Sequence, residues 1–301
     1  MRTVARTSTR MPGFGLSLLV HGWRDPEVTP SGLTVLLVHG FMDAGSTWEL
    51  VAEPLAAAGH QVYAPDLRGF GGSDAVGPGG YYHFPDYVAD LAALVAHLDP
   101  PRLAVVGHSM GGTASCLFAG ALAERVEKLA ILEGLGTLDG EPDYAVDRMQ
   151  TWLRQLREER PPRPLPSVED AIARLGSNHP RVPQDVLATR LPMLTRTDEQ
   201  GRIFWAFDPL HRTRSPIPFV LDNFKAFLRK IRCPTLFVSG GTTGWHPPDE
   251  AERLACLADV TTCEFPEAGH MMHWTAPQAL ATRLIEFLAT PPPAPPTSPE
   301  R

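Results

Sequence analysis

Long apolar runs are missing from this sequence. The apolar stretch near the N-terminus, at residues 16–20, is only about five residues long, whereas a signal peptide needs roughly 7–15 apolar residues and a membrane-spanning helix about 20. Secretion and membrane insertion are therefore not expected. We predict a cytoplasmic protein without a membrane partner.

Cysteine and excess positive charge are also missing. The 301 residues include four cysteines in no C-x-x-C pattern, and the net charge is −7, which argues against nucleic acid as a partner. No group of histidines, cysteines or carboxylates has metal-ligand spacing, and the glycine-rich segments lack the strand–GxGxxG–helix setting of a dinucleotide site. We therefore predict no metal and no cofactor.

The sequence does contain a regular alternation of strand and helix patterns, beginning with an apolar run at residues 33–40. This alternation predicts an α/β fold with a mostly parallel central sheet flanked by helices. Between residues 135 and 232 the alternation stops, and that segment is predicted to be an inserted helical lid. The core then covers residues 14–134 and 233–290, and the Pro-rich residues 291–301 are predicted to be a disordered tail.

The segment GHSMG at residues 107–111 follows an apolar strand pattern and precedes a helix pattern rich in small residues. A serine in such a strand-to-helix turn adopts strained backbone angles, and glycines two residues before and after it avoid a steric collision. The turn presents the hydroxyl of Ser109 at the carboxyl edge of the sheet, beside a helix N-terminus that stabilises negative charge. Ser109 is therefore the predicted nucleophile.

Three further segments carry a resemblance when taken with this turn: HGFMDAGSTW at residues 39–48, DLRGFGGSD at residues 66–74 and EAGHMMHW at residues 267–274. Together they resemble the α/β-hydrolase fold, in its serine-hydrolase-like, esterase-type branch, over about residues 14–290. The resemblance implies a serine hydrolase with an oxyanion hole. In that hole the backbone N–H groups of Phe41 and Met110 are expected to bind the developing negative charge.

His270 is the predicted general base among the eleven histidines. It follows the last predicted strand and precedes the last helix, so it is expected at the same sheet edge as Ser109. There it would accept the proton of the serine and later deliver it to the leaving group.

The acid of the triad is absent from its usual place in this family. After the strand before the last, the position where an aspartate is expected holds Thr243, and the next carboxylate, Asp249, is typical of a helix cap. Glu133 ends the strand after the nucleophile's helix, where a carboxylate that follows apolar residues needs a partner. Haloalkane dehalogenases of this family place their acid at that strand end. We predict a Ser109–Glu133–His270 triad, with Asp249 as the alternative acid.

The predicted activity is that of a carboxylesterase-type enzyme, which cleaves an ester, thioester or lactone of a small, largely apolar acyl substrate through an acyl-enzyme. Five side chains are predicted to line the substrate pocket: Trp152, Trp205, Trp245, Met271 and Trp274. An amidase or a carbon–carbon bond hydrolase would use the same triad, and a catalytically silent binding protein would keep the fold. These possibilities stay open, as does the choice between a monomer and a homodimer.

Overall fold

A computed structural model describes residues 4–140, 142–158 and 161–290, so the predicted tail lies outside the described residues. No helix in these ranges combines the length and the apolar character that crossing a membrane requires. The strands are β1 (Ala5–Pro12), β2 (Ser17–Arg24), β3 (Thr34–Val38), β4 (Gln61–Pro65), β5 (Leu103–His108), β6 (Lys128–Leu132), β7 (Thr195–Thr197), β8 (Ile203–Trp205), β9 (Thr235–Ser239) and β10 (Val260–Glu264). The α-helices are α1 (Glu49–Ala57), α2 (Phe84–Leu98), α3 (Met110–Ala121), α4 (Pro142–Gln155), α5 (Val168–Asn178), α6 (Gln184–Leu194), α7 (Leu221–Leu228), α8 (Glu250–Leu254), α9 (Met272–Thr275) and α10 (Pro277–Ala289).

Eight of the described strands form the central sheet, in the order β1-β2-β4-β3-β5-β6-β9-β10. Strand β2 pairs antiparallel with β1 and β4, and each neighbouring pair from β4 to β10 is parallel. All residues of β3, β5, β6 and β9 are buried. Their near-continuous apolar sequences follow from this, because a central parallel strand is covered on both faces. The predicted α/β fold is confirmed.

The side chains of each central strand alternate between two hydrophobic clusters, one on each face of the sheet. In β3, Leu36 and Val38 pack in the cluster that includes residues of α2, α3 and α7. Val35 and Leu37 pack in the cluster that includes α1 and α10. Since parallel strands end at a common edge, the loops after β3, β5, β6, β9 and β10 converge there.

Strands β1 and β2 were not predicted from the sequence. Nearly every residue of β1 is exposed, so its sequence has no apolar alternation that could identify a strand. It pairs with β2 along its whole length and lies before residue 14, where the predicted core begins. The sheet therefore begins before residue 14, where the predicted core and the resemblance begin.

The insertion that was predicted to be helical also contains a hairpin, formed by β7 and β8. In its turn, Asp198 Oδ1 accepts the N–H groups of Gln200 and Arg202. This hairpin was not part of the prediction, because three-residue strands are too short to show a period of two. Helix α7 also lies in the predicted insertion, yet its Phe224 and Leu228 are buried in the core cluster beside α3.

We predict that Gly120→Ala destabilises the protein, although alanine ordinarily favours a helix over glycine by about 1 kcal/mol. A Cβ on Gly120 of α3 would lie 2.5 Å from the carbonyl oxygen of Phe227 in α7, and a backbone oxygen cannot move aside cheaply. We expect a loss of about 1–3 kcal/mol in the free energy of unfolding, measured in urea.

The control is Gly176→Ala in α5, where the added Cβ meets only a methyl group of Leu187 at 3.3 Å. This variant should be neutral or more stable than the wild type. Equal stability of the two variants would show that α7 does not pack tightly on α3.

Candidate active site

The turn between β5 and α3 holds Ser109 in a strained backbone conformation. Its φ is 52° and its ψ is −120°, a combination that a residue with a side chain rarely adopts. A Cβ on Gly107 would lie 2.5 Å from Ser115 Oγ, and a Cβ on Gly111 would lie 2.4 Å from the carbonyl oxygen of Val38. Both glycines of the GHSMG segment are therefore required for the close approach of strand and helix.

A continuous chain of hydrogen bonds joins the three predicted triad residues. His270 Nδ1 lies 2.7 Å from Glu133 Oε2, and His270 Nε2 lies 3.0 Å from Ser109 Oγ. Because an ionised carboxylate only accepts, Nδ1–H donates to Glu133, and Nε2 accepts from the serine hydroxyl. This is the tautomer that a general base requires. The structure thus brings the three side chains together at one sheet edge, and their catalytic roles stay predictions.

Glu133 is a buried carboxylate with three hydrogen-bond donors. It is 2% exposed, and besides His270 it accepts the backbone N–H groups of Gly240 at 2.5 Å and Trp245 at 2.7 Å. Burial by itself raises the pKa of a carboxyl. Here the three hydrogen bonds outweigh burial and hold the pKa of Glu133 below its ordinary value. The carboxylate is therefore ionised at neutral pH.

The loop after β9 supports Glu133 with its backbone instead of supplying an acid of its own. Thr243 occupies the place where the family's acid was expected, and the two donating N–H groups belong to Gly240 and Trp245 on either side of it. Gly244 packs directly against the carboxylate, because a Cβ there would lie 1.7 Å from Glu133 Oε1. Gly244 is therefore explained by its close approach to the buried carboxylate.

The alternative acid, Asp249, is engaged with Arg253 of α8. The two residues form an ion pair with two short contacts, at 2.8 and 2.9 Å. The guanidinium of Arg253 is buried and also donates to the carbonyl of Leu135, at 2.6 Å. Asp249 thus helps to join α8 to the loop after β6, and it makes no contact with His270 in the described structure.

The predicted oxyanion donors, Phe41 and Met110, lie next to Ser109. Met110 is the first residue of α3, so its N–H is among those that a helix leaves without an intrahelical partner. Phe41 follows Gly40, where a Cβ would lie 3.1 Å from Ser109 Cβ, so the backbone of this loop runs beside the serine. His39 fixes the start of the loop, because its Nδ1–H donates to the Gly40 carbonyl at 2.7 Å.

Sequence patterns did not reveal a buried polar network that joins the site loops. His273 Nε2–H donates to Asp43 Oδ2 at 2.9 Å, and Asp43 Oδ1 accepts the hydroxyl of Thr47 at 2.8 Å. His108 Nε2–H donates to the carbonyl of His270 at 2.8 Å, and its ring lies 4.7 Å from the ring of His270 and 4.6 Å from that of His273. The available signal was that each of these polar residues lies within or beside a motif segment.

Asp43, His108 and His273 also have the composition of a metal site, since their ligand atoms lie within 4.8 Å of one another. Burial, with His273 and His270 nearby, lowers the pKa of His108 well below its ordinary value, so this imidazole is neutral. Burial opposes ionisation of Asp43 as well, but the hydrogen bonds from His273 and Thr47 hold its pKa below the ordinary value. Both oxygens of Asp43 accept hydrogen bonds from the protein, which explains the cluster as a network. The absence of a metal stays a prediction.

The structure places the five predicted pocket residues in several surroundings. Met271 and Trp274 are buried in a hydrophobic cluster with residues of α5 and α6, which anchors the insertion to the core. Trp205 lines a separate cavity of about 370 Å³ in the insertion, and Trp152 lies against Tyr81. Trp245 is 40% exposed and contributes its backbone N–H to the buried carboxylate. Their role as the lining of one substrate pocket stays a prediction.

An open cleft of about 640 Å³ adjoins the loop after β3 that carries Phe41 and Met42, here called the oxyanion loop. Phe41 and Met42 form its wall on the side of the core. The insertion forms the rest of the wall with Gln155, Asn178, His211, Arg212, Thr213 and Arg214. A molecule in this cleft therefore reaches the loop that carries one predicted oxyanion donor.

A family model described as alpha/beta hydrolase fold matches residues 34–277. The chain belongs to the α/β-hydrolase fold family. The match includes the serine turn, the loop after β6 and the His270 loop, and it confirms the resemblance that the sequence motifs carry.

Three similar proteins are hydrolases or hydrolase-like by name. A serine hydrolase-like protein of Dictyostelium discoideum is 24% identical over 92% of this chain and 79% of its own length. A 2-hydroxy-6-oxononadienedioate/2-hydroxy-6-oxononatrienedioate hydrolase of Paraburkholderia xenovorans is 27% identical over 85% of this chain and 86% of its own. The thioesterase domain from the curacin biosynthetic pathway is 27% identical, with a TM-score of 0.79, over 94% of this chain and 99% of that domain. These similarities support a hydrolase.

We predict that Gly244→Ala slows the reaction of Ser109 with a fluorophosphonate probe by about 10- to 100-fold, because small displacements of a catalytic group are costly. The added methyl group would overlap Glu133 Oε1, so the carboxylate would have to move away from His270. The rate of labelling measures this effect without a known substrate. Gly77→Ala is the control, since nothing lies within 4 Å of a Cβ at that position. Equal rates for the two variants would contradict the role of the loop.

We predict that Asp43→Asn lowers the free energy of unfolding by about 1–3 kcal/mol at pH 7, because the amide NH₂ would have to face a hydrogen-bond donor. The folded-state pKa of Asp43 lies below its ordinary value of 3.8, so its ionisation stabilises the fold above that pH. The stabilisation decreases as the pH falls from the ordinary value through the lower folded-state value.

The deficit of Asp43→Asn should therefore be constant between pH 7 and about pH 5 in urea unfolding, since both values lie above the ordinary pKa of the carboxyl. Asp99→Asn, which removes an exposed carboxylate at the end of α2, is the control and should change stability little. A deficit that closes between pH 7 and pH 5 would show that the pKa of Asp43 is raised.

Proposed function

We propose that this protein is a serine hydrolase that cleaves an acyl bond. Its proposed substrate is a small, largely apolar carboxylic ester, thioester or lactone. The observation that supports the proposal is the hydrogen-bond chain from Ser109 Oγ through His270 to Glu133. The same chain supports assigning the roles of nucleophile, general base and orienting acid to these residues.

In the first half of the reaction, Ser109 Oγ forms a bond to the carbonyl carbon of the substrate while its proton moves to His270 Nε2. The carbonyl oxygen becomes an oxyanion, which the N–H groups of Phe41 and Met110 would bind. Glu133 stabilises the imidazolium. The bond to the leaving group then breaks, and the leaving group takes the proton from His270 Nε2. The product of this half is an acyl-enzyme.

In the second half, water adds to the acyl carbonyl and gives a proton to His270 Nε2. The ester bond to Ser109 breaks, the serine oxygen recovers the proton, and the carboxylic acid is released. Each half uses the same donors and the same base. A buried, ionised Glu133 suits both halves, because the imidazolium forms and disappears twice.

A second candidate is hydrolysis of a carbon–carbon bond, favoured by the similarity to a 2-hydroxy-6-oxononadienedioate/2-hydroxy-6-oxononatrienedioate hydrolase. The same triad would serve, with a carbon atom of the leaving group taking the proton. An amidase would use this triad as well, with the amine taking the proton. The intact hydrogen-bond chain argues against a catalytically silent binding protein. The cytoplasmic location and the choice between a monomer and a homodimer stay predictions.

We predict that the wild type hydrolyses a short-chain p-nitrophenyl ester and that Ser109→Ala abolishes both this activity and labelling by a fluorophosphonate. Glu133→Gln should lower kcat by about 10³- to 10⁴-fold, because a neutral amide neither fixes the tautomer of His270 nor stabilises the imidazolium. Circular dichroism would verify that each variant is folded.

The matched control is Asp249→Asn, which neutralises the alternative acid and should leave kcat within a few-fold of the wild type, because Asp249 acts on Arg253. A large loss in Asp249→Asn with normal activity in Glu133→Gln would reverse the assignment of the acid. Absence of labelling in the wild type would identify a silent binding protein.

A further inference from the structure

The cleft beside the oxyanion loop has a one-sided charge. Its charged side chains are Arg212 and Arg214, and no Asp or Glu of the described residues lines it. His211 adds no charge at pH 7, because burial lowers the pKa of its imidazole to about 4. The chain as a whole carries a net charge of −7, so the charge of this cleft is opposite in sign to the net charge of the protein.

The segment that carries the two guanidinium groups is anchored by His211 and Thr213. His211 and Thr213 are buried, whereas Arg212 and Arg214 are exposed. The ring of His211 stacks on Phe70 at 4.0 Å. This alternation directs both arginine side chains outwards from an anchored segment.

Aromatic rings and a polar side chain further restrict the two arginines. The guanidinium of Arg212 lies 5.1 Å from the ring centre of Phe207, and that of Arg214 lies 5.7 Å from the ring centre of Tyr144. The backbone N–H of Arg214 donates to the side chain of Gln155 at 2.8 Å. Such contacts leave the N–H donors at the edge of each guanidinium available to bind an oxyanion.

The charged segment is connected to the oxyanion loop by a ring contact. The ring of Phe41 meets the ring of His211 edge to face, with 6.1 Å between their centres. The cleft wall therefore runs from the residue that carries a predicted oxyanion donor, through a neutral histidine, to the two arginines. The two arginines and Phe41 thus face the same cleft.

We propose that Arg212 and Arg214 bind an anionic group, a carboxylate or a phosphate, at the end of the substrate remote from the cleaved bond. The inference rests on the proposed function and defines its substrate class as an apolar acyl compound with one anionic end. The carboxylate would belong to the acyl part, as in a monoester of a dicarboxylic acid. The phosphate would belong to the leaving group, as in a phosphopantetheine thioester.

Two matched substrate pairs distinguish these sources. The first pair is p-nitrophenyl hydrogen adipate and p-nitrophenyl hexanoate, which share the length of the acyl chain and differ in the terminal carboxylate. The second pair is a hexanoyl thioester of phosphopantetheine and the same thioester of pantetheine, which differ only in the phosphate. Each is measured with the wild type, with Arg212→Gln/Arg214→Gln and with Arg196→Gln.

In at least one of the two pairs, the wild type should prefer the anionic member by about tenfold in kcat/KM. The preference should come from a lower KM, because charge-assisted hydrogen bonds to arginine strengthen substrate binding. The double variant should lose this preference, so that the two members of the pair have similar values of kcat/KM. High salt should weaken the preference. Arg196→Gln is the matched control, because that guanidinium lies over Phe204 on β8 and lines neither cavity. It should behave like the wild type.

Absence of a preference in both pairs, or a preference that survives in the double variant, would overturn the proposal. If Ser109-dependent hydrolysis of the neutral members persists, only this inference fails and the proposed function stands. If the wild type is labelled by fluorophosphonates but hydrolyses none of the four compounds, probes with alkyl and carboxyalkyl tails give the same comparison as labelling rates. If no probe labels Ser109, the proposed function fails and this inference fails with it.

Discussion

The candidate site depends on one buried negative charge, the carboxylate of Glu133. A carboxylate that is 2% exposed is costly unless hydrogen bonds replace the water that it has lost. His270 and the backbone N–H groups of Gly240 and Trp245 supply that replacement. These contacts join the end of β6, the loop after β9 and the loop after β10. The geometry of the site thus satisfies a single buried group, and a shift of one segment against the others would cost that group at least one of its three donors.

Much of this arrangement could be predicted because the rules involved are local or topological. The serine turn is a property of five consecutive residues, and parallel strands bring their carboxyl ends to one edge, which places Glu133 and His270 near Ser109. The donors to Glu133 could not be predicted, because a backbone N–H does not depend on the residue type. The one related signal in the sequence is Gly244, which packs against the carboxylate. Likewise, the exposed strand β1 shows no apolar period, so pairing with its neighbour could not be predicted.

The network of Asp43, His108 and His273 could not be predicted for a different reason. Each residue is polar yet buried, and each lies in a different part of the sequence, so no periodic pattern connects them. Only the fold shows that Asp43 in the loop after β3 accepts a hydrogen bond from His273 in α9, and that His108 donates to the carbonyl of His270. Because burial keeps His108 neutral, its ring can donate from one nitrogen without bringing a charge into the core.

These observations separate what determines the chemistry from what determines the substrate. The three residues of the proposed triad are held largely by the backbone of the core, and the N–H groups around them belong to the loops after β3 and β9 and to the start of α3. That geometry has sequence motifs, so the class of reaction can be inferred from them. The wall of the cleft consists mainly of side chains from the insertion, where the sign of the charge is set by individual residues such as Arg212 and Arg214. Side-chain identity at such positions has no motif, and it becomes informative only after the fold shows which residues face the same cleft as Phe41.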